Sequence, residues 1–367
     1  LKLAVVGAGH LGRIHARLIS EMPDVDLVGV VDPLPAARER VAAECQTRPC
    51  ADHGELLTRV DAAVIATPTR FHHAVALDFL RAGVPLLVEK PLAADLGEAD
   101  ELVLAASATG LNLQVGHIER FNPALEAATP HLGTPKFIEA VRASGFTGRS
   151  TDIGVVLDLM IHDIDVVLSL VDSPLESVSA MGLAVLGRRE DVAQAQLVFA
   201  NGCVAHLSAS RVSFSQTPRR QMHVWSDRGF ATIDFGNRLA SIVTPSEAVV
   251  RREIDFDALT AEQQADLKQR LFTDILRLQP LAVESANALA NELRDFVDSV
   301  RHGRAPRVDG QQGRDAVAVA HAVLQALSVH RWQGRELGPM GPLAMPAPAA
   351  LLRGPHWQPA MQPRPAA

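Results

Sequence analysis

The spacing of apolar residues changes once along the chain. Leu3–Gly7, Leu27–Val31, Asp61–Ala66, Val84–Val88 and Leu111–Val115 are short apolar runs bounded by turn signals, the pattern of strands buried on both faces. Between them, Arg13–Ser20, Ala36–Glu44, Phe71–Arg81 and Leu96–Ala108 read as helices, with Gly83 and Gly110 as stops. Strands alternating with helices predict a parallel sheet covered on both faces. After about residue 118 the period becomes two: Phe137–Ala143, Val192–Phe199, Val204–Ser210, Gln221–Trp225 and Ala231–Phe235 alternate, with Asn201-Gly202 as a hairpin turn between two of them. One helix, Val155–Leu170, interrupts these strands, and amphipathic helices over Leu289–Arg301 and Arg314–Leu327 are placed to pack back on the first domain. The Pro-, Ala- and Met-rich stretch from Gly338 has no period and reads as a poorly ordered tail. The expected organisation is α/β over 1–118, α+β with an open, mostly antiparallel sheet over 119–337, and a tail over 338–367.

The first strand runs into Gly7-Ala8-Gly9-His10-Leu11-Gly12, which opens a helix. Gly7 suits a tight turn, Gly9 a close backbone approach to a pyrophosphate, and Gly12 close packing of helix on strand. The helix N-terminus, with His10 and Leu11, then faces phosphates with its positive end. Asp32 ends the second strand about twenty residues later, where a dinucleotide-binding Rossmann domain keeps the acid that holds the ribose hydroxyls. A carboxylate repels a 2′-phosphate, so NAD is favoured over NADP; Arg38, one turn on, is the feature that argues the other way.

The fourth apolar run, Val84–Val88, ends abruptly in Glu89-Lys90-Pro91. Ligands of open α/β sheets lie at the carboxyl ends of strands, so Lys90 is delivered to the cleft. Asp158 and His162 sit four apart on the helix of the second domain, where they are expected to share a face within hydrogen-bond reach. An aspartate can orient an imidazole that accepts a proton near neutrality. A cationic lysine stabilises a developing alkoxide. Lys90, Asp158 and His162 are therefore a sufficient set for oxidising a secondary alcohol without zinc. A structural Asp–His pair is the competing reading, and metal binding by His162, Asp163 and Asp165 is disfavoured because the two acids cannot both share the histidine's face.

Composition narrows the field. The chain has 367 residues, 47% hydrophobic and 21% charged, with a net charge of −7, which leaves no basic stripe for nucleic acid. Cys45, Cys50 and Cys203 fall in no CxxC pattern, and three is an odd number, which fits a reducing compartment. No apolar run reaches the roughly 18 residues of a membrane span. No charged and apolar leader precedes the first strand, so a cytoplasmic location is expected. There is no tyrosine, which excludes any mechanism with a phenol as proton donor.

VVGAGHLGRIH, ATPTRFHHAVALDFLRAGVPLLVEKPLA, GVVLDLMIHDID and ELRDFVDSVRHGRAPRVDGQQGRDAVAVA together resemble the Gfo/Idh/MocA oxidoreductase family over Leu3 to about Leu327. The resemblance implies a Rossmann domain, a second domain with an open sheet, and a homodimer or homotetramer built on that sheet. It implies that Lys90 contacts both the reacting hydroxyl and the cofactor, that Asp158 and His162 are the family's catalytic pair, and that Thr67, Pro68, His72 and Glu89 contact the adenosine and nicotinamide ribose. The run GHIERFNP over Gly116–Pro123 resembles the nucleotide-sugar branch, which forms a 3-keto sugar from a UDP-N-acetyl-amino sugar or its uronate. Arg120, Asn122 and Arg149, with help from Arg211, are the expected substrate ligands, since charge-assisted contacts suit a diphosphate. A free polyol or sugar is the alternative substrate. A non-catalytic NAD sensor, the alternative function, would be expected to have lost the Lys, Asp or His.

Overall fold

The computed structural model describes residues 1–146, 148, 153–186, 189–213 and 218–330. Six strands form the first sheet: β1 Lys2–Val6, β2 Asp26–Val31, β3 Arg48–Cys50, β4 Ala62–Ile65, β5 Leu86–Glu89 and β6 Leu113–Gly116. All neighbours are parallel, in the order β3-β2-β1-β4-β5-β6. The order reverses between β1 and β4, so their carboxyl ends open the crevice that holds a dinucleotide in this topology. Helices α1 His10–Ser20, α2 Pro35–Glu44, α3 His72–Arg81 and α4 Leu96–Thr109 cover the faces. The short β3 escapes the periodicity because it is a three-residue edge strand containing Pro49.

The second sheet has eight strands: β7 Pro135–Ala143, β8 Leu175–Leu183, β9 Val192–Phe199, β10 Val204–Ser210, β11 Arg219–Ser226, β12 Gly229–Asp234, β13 Leu239–Pro245 and β14 Leu276–Pro280. Their order is β14-β13-β12-β11-β7-β10-β9-β8. Only β7 and β10 pair in parallel; the remaining neighbours are antiparallel. Strands β8, β13 and β14 lie beyond the sequence reading. β8 and β14 are edge strands with largely uncovered faces, so they show little apolar alternation.

Helix α5 (Pro123–Ala128) follows β6, and α6 (Ile161–Leu170) lies between β7 and β8. The expected helix Val155–Leu170 is not uniform: Val156–Met160 forms one π-helical turn that feeds α6. Short helices α7 Glu247–Val250 and α8 Ala261–Arg270 join β13 to β14. Helix α9 (Ala288–His302) then lays Leu293, Phe296 and Val297 in one core cluster with Ala16 and Ile19 of α1. Helix α10 (Gly310–Val329) buries Ala316, Val317, Ala320 and Val323 in the main core, which runs without a break through both sheets. Among the described residues, no helix is long and apolar enough to cross a membrane.

Candidate active site

The cofactor cradle is built from backbone. Gly7 adopts φ +103°, and a Cβ there would stand 2.5 Å from the Ala66 carbonyl oxygen. A Cβ on Gly12 would stand 1.8 Å from the Gly7 carbonyl oxygen, while one on Gly9 would meet nothing within 4 Å. The turn therefore folds tightly against β4 and α1 and leaves open space at Gly9. Helix α1 has no side-chain cap, so the amides of its first turn are available to an anion. The Asp32 carboxylate accepts from the Ala8 amide at 2.8 Å and the Leu34 amide at 2.9 Å, which fixes it beside the glycine turn. Arg38 donates to the carbonyls of Asp32 and Pro33 at 3.1 and 3.0 Å. These residues fit a dinucleotide: an open, uncapped anion seat with an anchored acid beside it.

Across the cleft, the Lys90 ammonium donates to the Asp158 carbonyl at 2.5 Å and to its carboxylate at 3.3 Å. The contact joins the end of β5 to the π-helical turn of the second sheet's layer. His162 is half-buried, and its Nδ1 has no partner. Burial first, then the charges of Lys90 and Arg142, hold its pKa well below the usual imidazole range, so it is neutral at physiological pH. The expected Asp158–His162 hydrogen bond is absent among the described residues, because the wider π-helical turn breaks the four-residue alignment of an α-helix. Lys90 holds Asp158 instead.

Several expected ligands stand behind the cleft. Glu89 is buried and bonds His15 Nε2 at 2.7 Å; burial raises its pKa, but the hydrogen bond and charge of His15, then Lys90, outweigh this and keep it ionised. His72, only 1% exposed, lies between the Pro91 and Thr67 carbonyls, 2.8 and 2.9 Å from its two ring nitrogens, and its single neutral N–H donates to one of them at the ends of β5 and β4. Pro68 is exposed at the mouth, and the hydroxyl of Thr67 is buried without a partner.

The GHIERFNP run folds into scaffold. Asn122 donates to Glu119 at 2.9 Å and to the Phe235 carbonyl at 3.2 Å, and its carbonyl oxygen caps α5 at Ala124. Glu119 in turn accepts from Arg142 at 2.7 Å, and Arg142 makes a two-pronged pair with Asp163 at 2.8 and 3.0 Å. Asn122 is therefore fully engaged away from the cleft. Arg120 reaches Asp165 at 3.4 Å, and Arg211 pairs with Asp191 at 2.7 Å. Arg149 lies outside the described residues. Arg220 of β11 was not assigned to the site from sequence; it is exposed, makes no ion pair among the described residues, and its charge bears on His162.

Among the described residues, one buried group comes within reach of a metal: ligand atoms of His15, Glu89 and Glu292 lie within 4.8 Å of one another. Two ligands of one ion, each about 2.0–2.2 Å from it, stand about 3 Å or more apart, whereas His15 and Glu89 meet at 2.7 Å. Their contact is a hydrogen bond. Glu292 is 0% exposed and neither oxygen has a partner; burial, then Glu89 and Asp165, push its pKa well above the carboxylic range. It is a neutral acid against the back of the Glu89 corner. His15, His117, Asp165 and Glu292 were not assigned to the site from sequence, since only the folded chain gathers them.

A switch-point dinucleotide cradle facing a lysine, an aspartate and a neutral imidazole defines a pyridine-nucleotide oxidoreductase. Residues 1–117 match the model of the Gfo/Idh/MocA oxidoreductase family's NAD-binding Rossmann fold, and residues 129–232 match the family's C-terminal domain. The chain belongs to that family, and its cofactor is NAD. It is 36% identical over 335 residues to the UDP-N-acetylglucosamine 3-dehydrogenase of Acidithiobacillus ferrooxidans, covering 89% of this chain and 97% of that one. A solved structure of that organism's GnnA, a UDP-N-acetylglucosamine 3-dehydrogenase, superposes with a TM-score of 0.77 at 34% identity, over 89% and 97% of the two chains. An inositol 2-dehydrogenase of Rhizobium meliloti is 25% identical over 344 residues, covering 90% of this chain and 98% of that one.

Proposed function

We propose that the chain oxidises the 3-hydroxyl of a UDP-N-acetyl-amino sugar, UDP-N-acetylglucosamine or its uronate, to the 3-keto sugar. The observation that carries the chemistry is the Lys90 ammonium held by Asp158, with the buried, unpartnered Nδ1 of His162 on the same helical segment as Asp158. The whole-length similarity to a UDP-N-acetylglucosamine 3-dehydrogenase carries the choice of sugar.

NAD, when bound, supplies the hydride acceptor. Lys90 donates a hydrogen bond to the hydroxyl oxygen and stabilises negative charge as it develops there. Asp158 holds the ammonium in place through two contacts. His162 is neutral and takes the hydroxyl proton. Arg220, in place of Arg120 and Arg211, is the cation offered to the diphosphate. Asp32, anchored by two backbone amides, selects NAD over NADP by charge repulsion.

The open face of the second sheet carries Phe137, Trp225 and Phe230, with ring centroids 5.0 and 4.8 Å apart, and this aromatic surface is the proposed contact between copies of the chain. Three buried free cysteines support a reducing, cytoplasmic setting.

The test is the purified chain with NAD and UDP-N-acetylglucosamine, hydroxylamine being added to trap the ketone, followed by NADH absorbance. NADH is expected with the UDP-sugar and not with free glucose or inositol. NADH with inositol or glucose alone would replace the nucleotide-sugar reading with the polyol reading.

A further inference from the structure

The oxidation releases a proton inside the protein, and a line of unpartnered polar atoms leads away from the place where it is released. His117, just past β6, is 0% exposed, and neither of its ring nitrogens has a hydrogen-bond partner. Its ring stands edge-on to that of His162, with centroids 6.4 Å apart, and His162 Nδ1 is likewise buried and unpartnered. His117 Nδ1 is 4.0 Å from Asp165 Oδ2, another buried atom without a partner. The second oxygen of Asp165 accepts from Arg120 at 3.4 Å. Asp165 and Arg120 line a cavity of about 950 Å³ between α6 and α10, whose lining includes neither Lys90 nor His162.

Buried polar atoms without partners are rare, and a run of them marks a place where water completes the hydrogen bonds. Two hydrogen bonds of about 2.8 Å through one water span about 4.5 Å, which suits two rings whose centroids stand 6.4 Å apart. His117 Nδ1 and Asp165 Oδ2, 4.0 Å apart, are within reach of one shared water. We infer that His117 and Asp165, with buried water, form a proton exit from His162 to the cavity beside Arg120. This inference rests on His162 being the acceptor in the proposed reaction.

The step balances simply. The C–H bond breaks with its electron pair passing to NAD, the O–H proton passes to His162, and one proton leaves through His117 and Asp165 to water. Burial, then the charges of Lys90 and Arg120, depress the His117 pKa to about 3, so it passes the proton on without storing it. Burial raises Asp165 to about 7 against the opposing charge of Arg120, which matches a group that exchanges protons with neutral solvent. A base whose own proton affinity is low, as His162 is, needs such an outlet.

The variants Asp165→Asn and His117→Phe test the exit, with UDP-N-acetylglucosamine and NAD as reactants. Expected are NAD binding within about threefold of the parent and kcat lower by about 10- to 100-fold. The solvent deuterium effect on kcat should rise and the effect of deuterium at the sugar C3 should shrink, because proton departure becomes the slow step. Formate or imidazole should restore part of the Asp165→Asn rate. Should His117→Phe fail to fold, the near-isosteric Asp165→Asn carries the test. Folded, NAD-binding variants with parental kcat and unchanged isotope effects would overturn the exit. If the parent oxidises no UDP-sugar, the functional reading fails, and a crystal structure of the NAD complex decides the exit alone. Ordered waters joining His162, His117 and Asp165 support it, and a dry, closed gap refutes it.

Discussion

The two walls of the cleft are built by different means. The nucleotide wall is local and made mostly of main chain: the glycine turn, the uncapped start of α1, and an Asp32 fixed by amides two and twenty-four residues away. The opposite wall is assembled from side chains far apart in sequence. Lys90 meets Asp158 across 68 residues, and Arg142 ties Asp163 of α6 to Glu119 of the GHIERFNP run. Backbone geometry tolerates change in its surroundings, whereas a chain of ion pairs transmits the loss of any one member. Substitutions should therefore separate the walls, one set acting on cofactor affinity and the other on turnover and stability.

The sharpest separation is expected for Lys90→Ala and His162→Ala. Each should lower turnover by about 10³-fold, about 4 kcal/mol of transition-state stabilisation, with NAD affinity changed by only a few fold. Steady-state NADH formation and calorimetric NAD titration read the two quantities. Next is Arg142→Met, which strands the buried carboxylates of Asp163 and Glu119 and should cost about 3 kcal/mol in urea unfolding. A loss as small as that of an exposed pair would mean that the second wall does not depend on this network. On the nucleotide wall, Asp32→Asn should weaken NAD binding by about 10-fold and narrow the preference over NADP, with unfolding little changed.

The smallest effect concerns pH. Asp165, at about 7, and Glu292, well above the carboxylic range, hold protons more tightly folded than unfolded, so their contribution to stability is lost as pH rises. His72, His117 and His162 have depressed values, so their contribution is lost as pH falls below 6.5. Above 6.5 the acids outweigh the small remaining gain from the histidines, and stability should decline by about 1–2 kcal/mol between pH 6.5 and 8.5. Glu292→Gln should flatten most of that decline in urea titrations at the two pH values. An unchanged slope would show that Glu292 is not the neutral buried acid described above.

The same contrast decides what was legible in the sequence. The glycine turn, Asp32 and the Glu89-Lys90-Pro91 corner are contiguous motifs whose positions follow from strand order, and the fold places them around one crevice. The Asp158–His162 spacing was visible, but their pairing was not, because a π-helical turn leaves no mark in apolar periodicity. Asn122 looked like a substrate ligand because a polar run beside a strand end reads the same whether it faces solvent or, through Glu119, a buried arginine. Arg142, which settles that question, lies on a different strand. His15 and Glu292 are 277 residues apart and meet only when α9 docks on α1.

The most direct test follows the hydride. UDP-N-acetylglucosamine carrying deuterium at C3 is incubated with the chain and NAD, and the reduced nucleotide is examined by mass spectrometry. The account predicts one deuterium in the nucleotide and a ketone at C3 of the sugar. Reduced nucleotide without deuterium, with the label retained in the sugar, would contradict it.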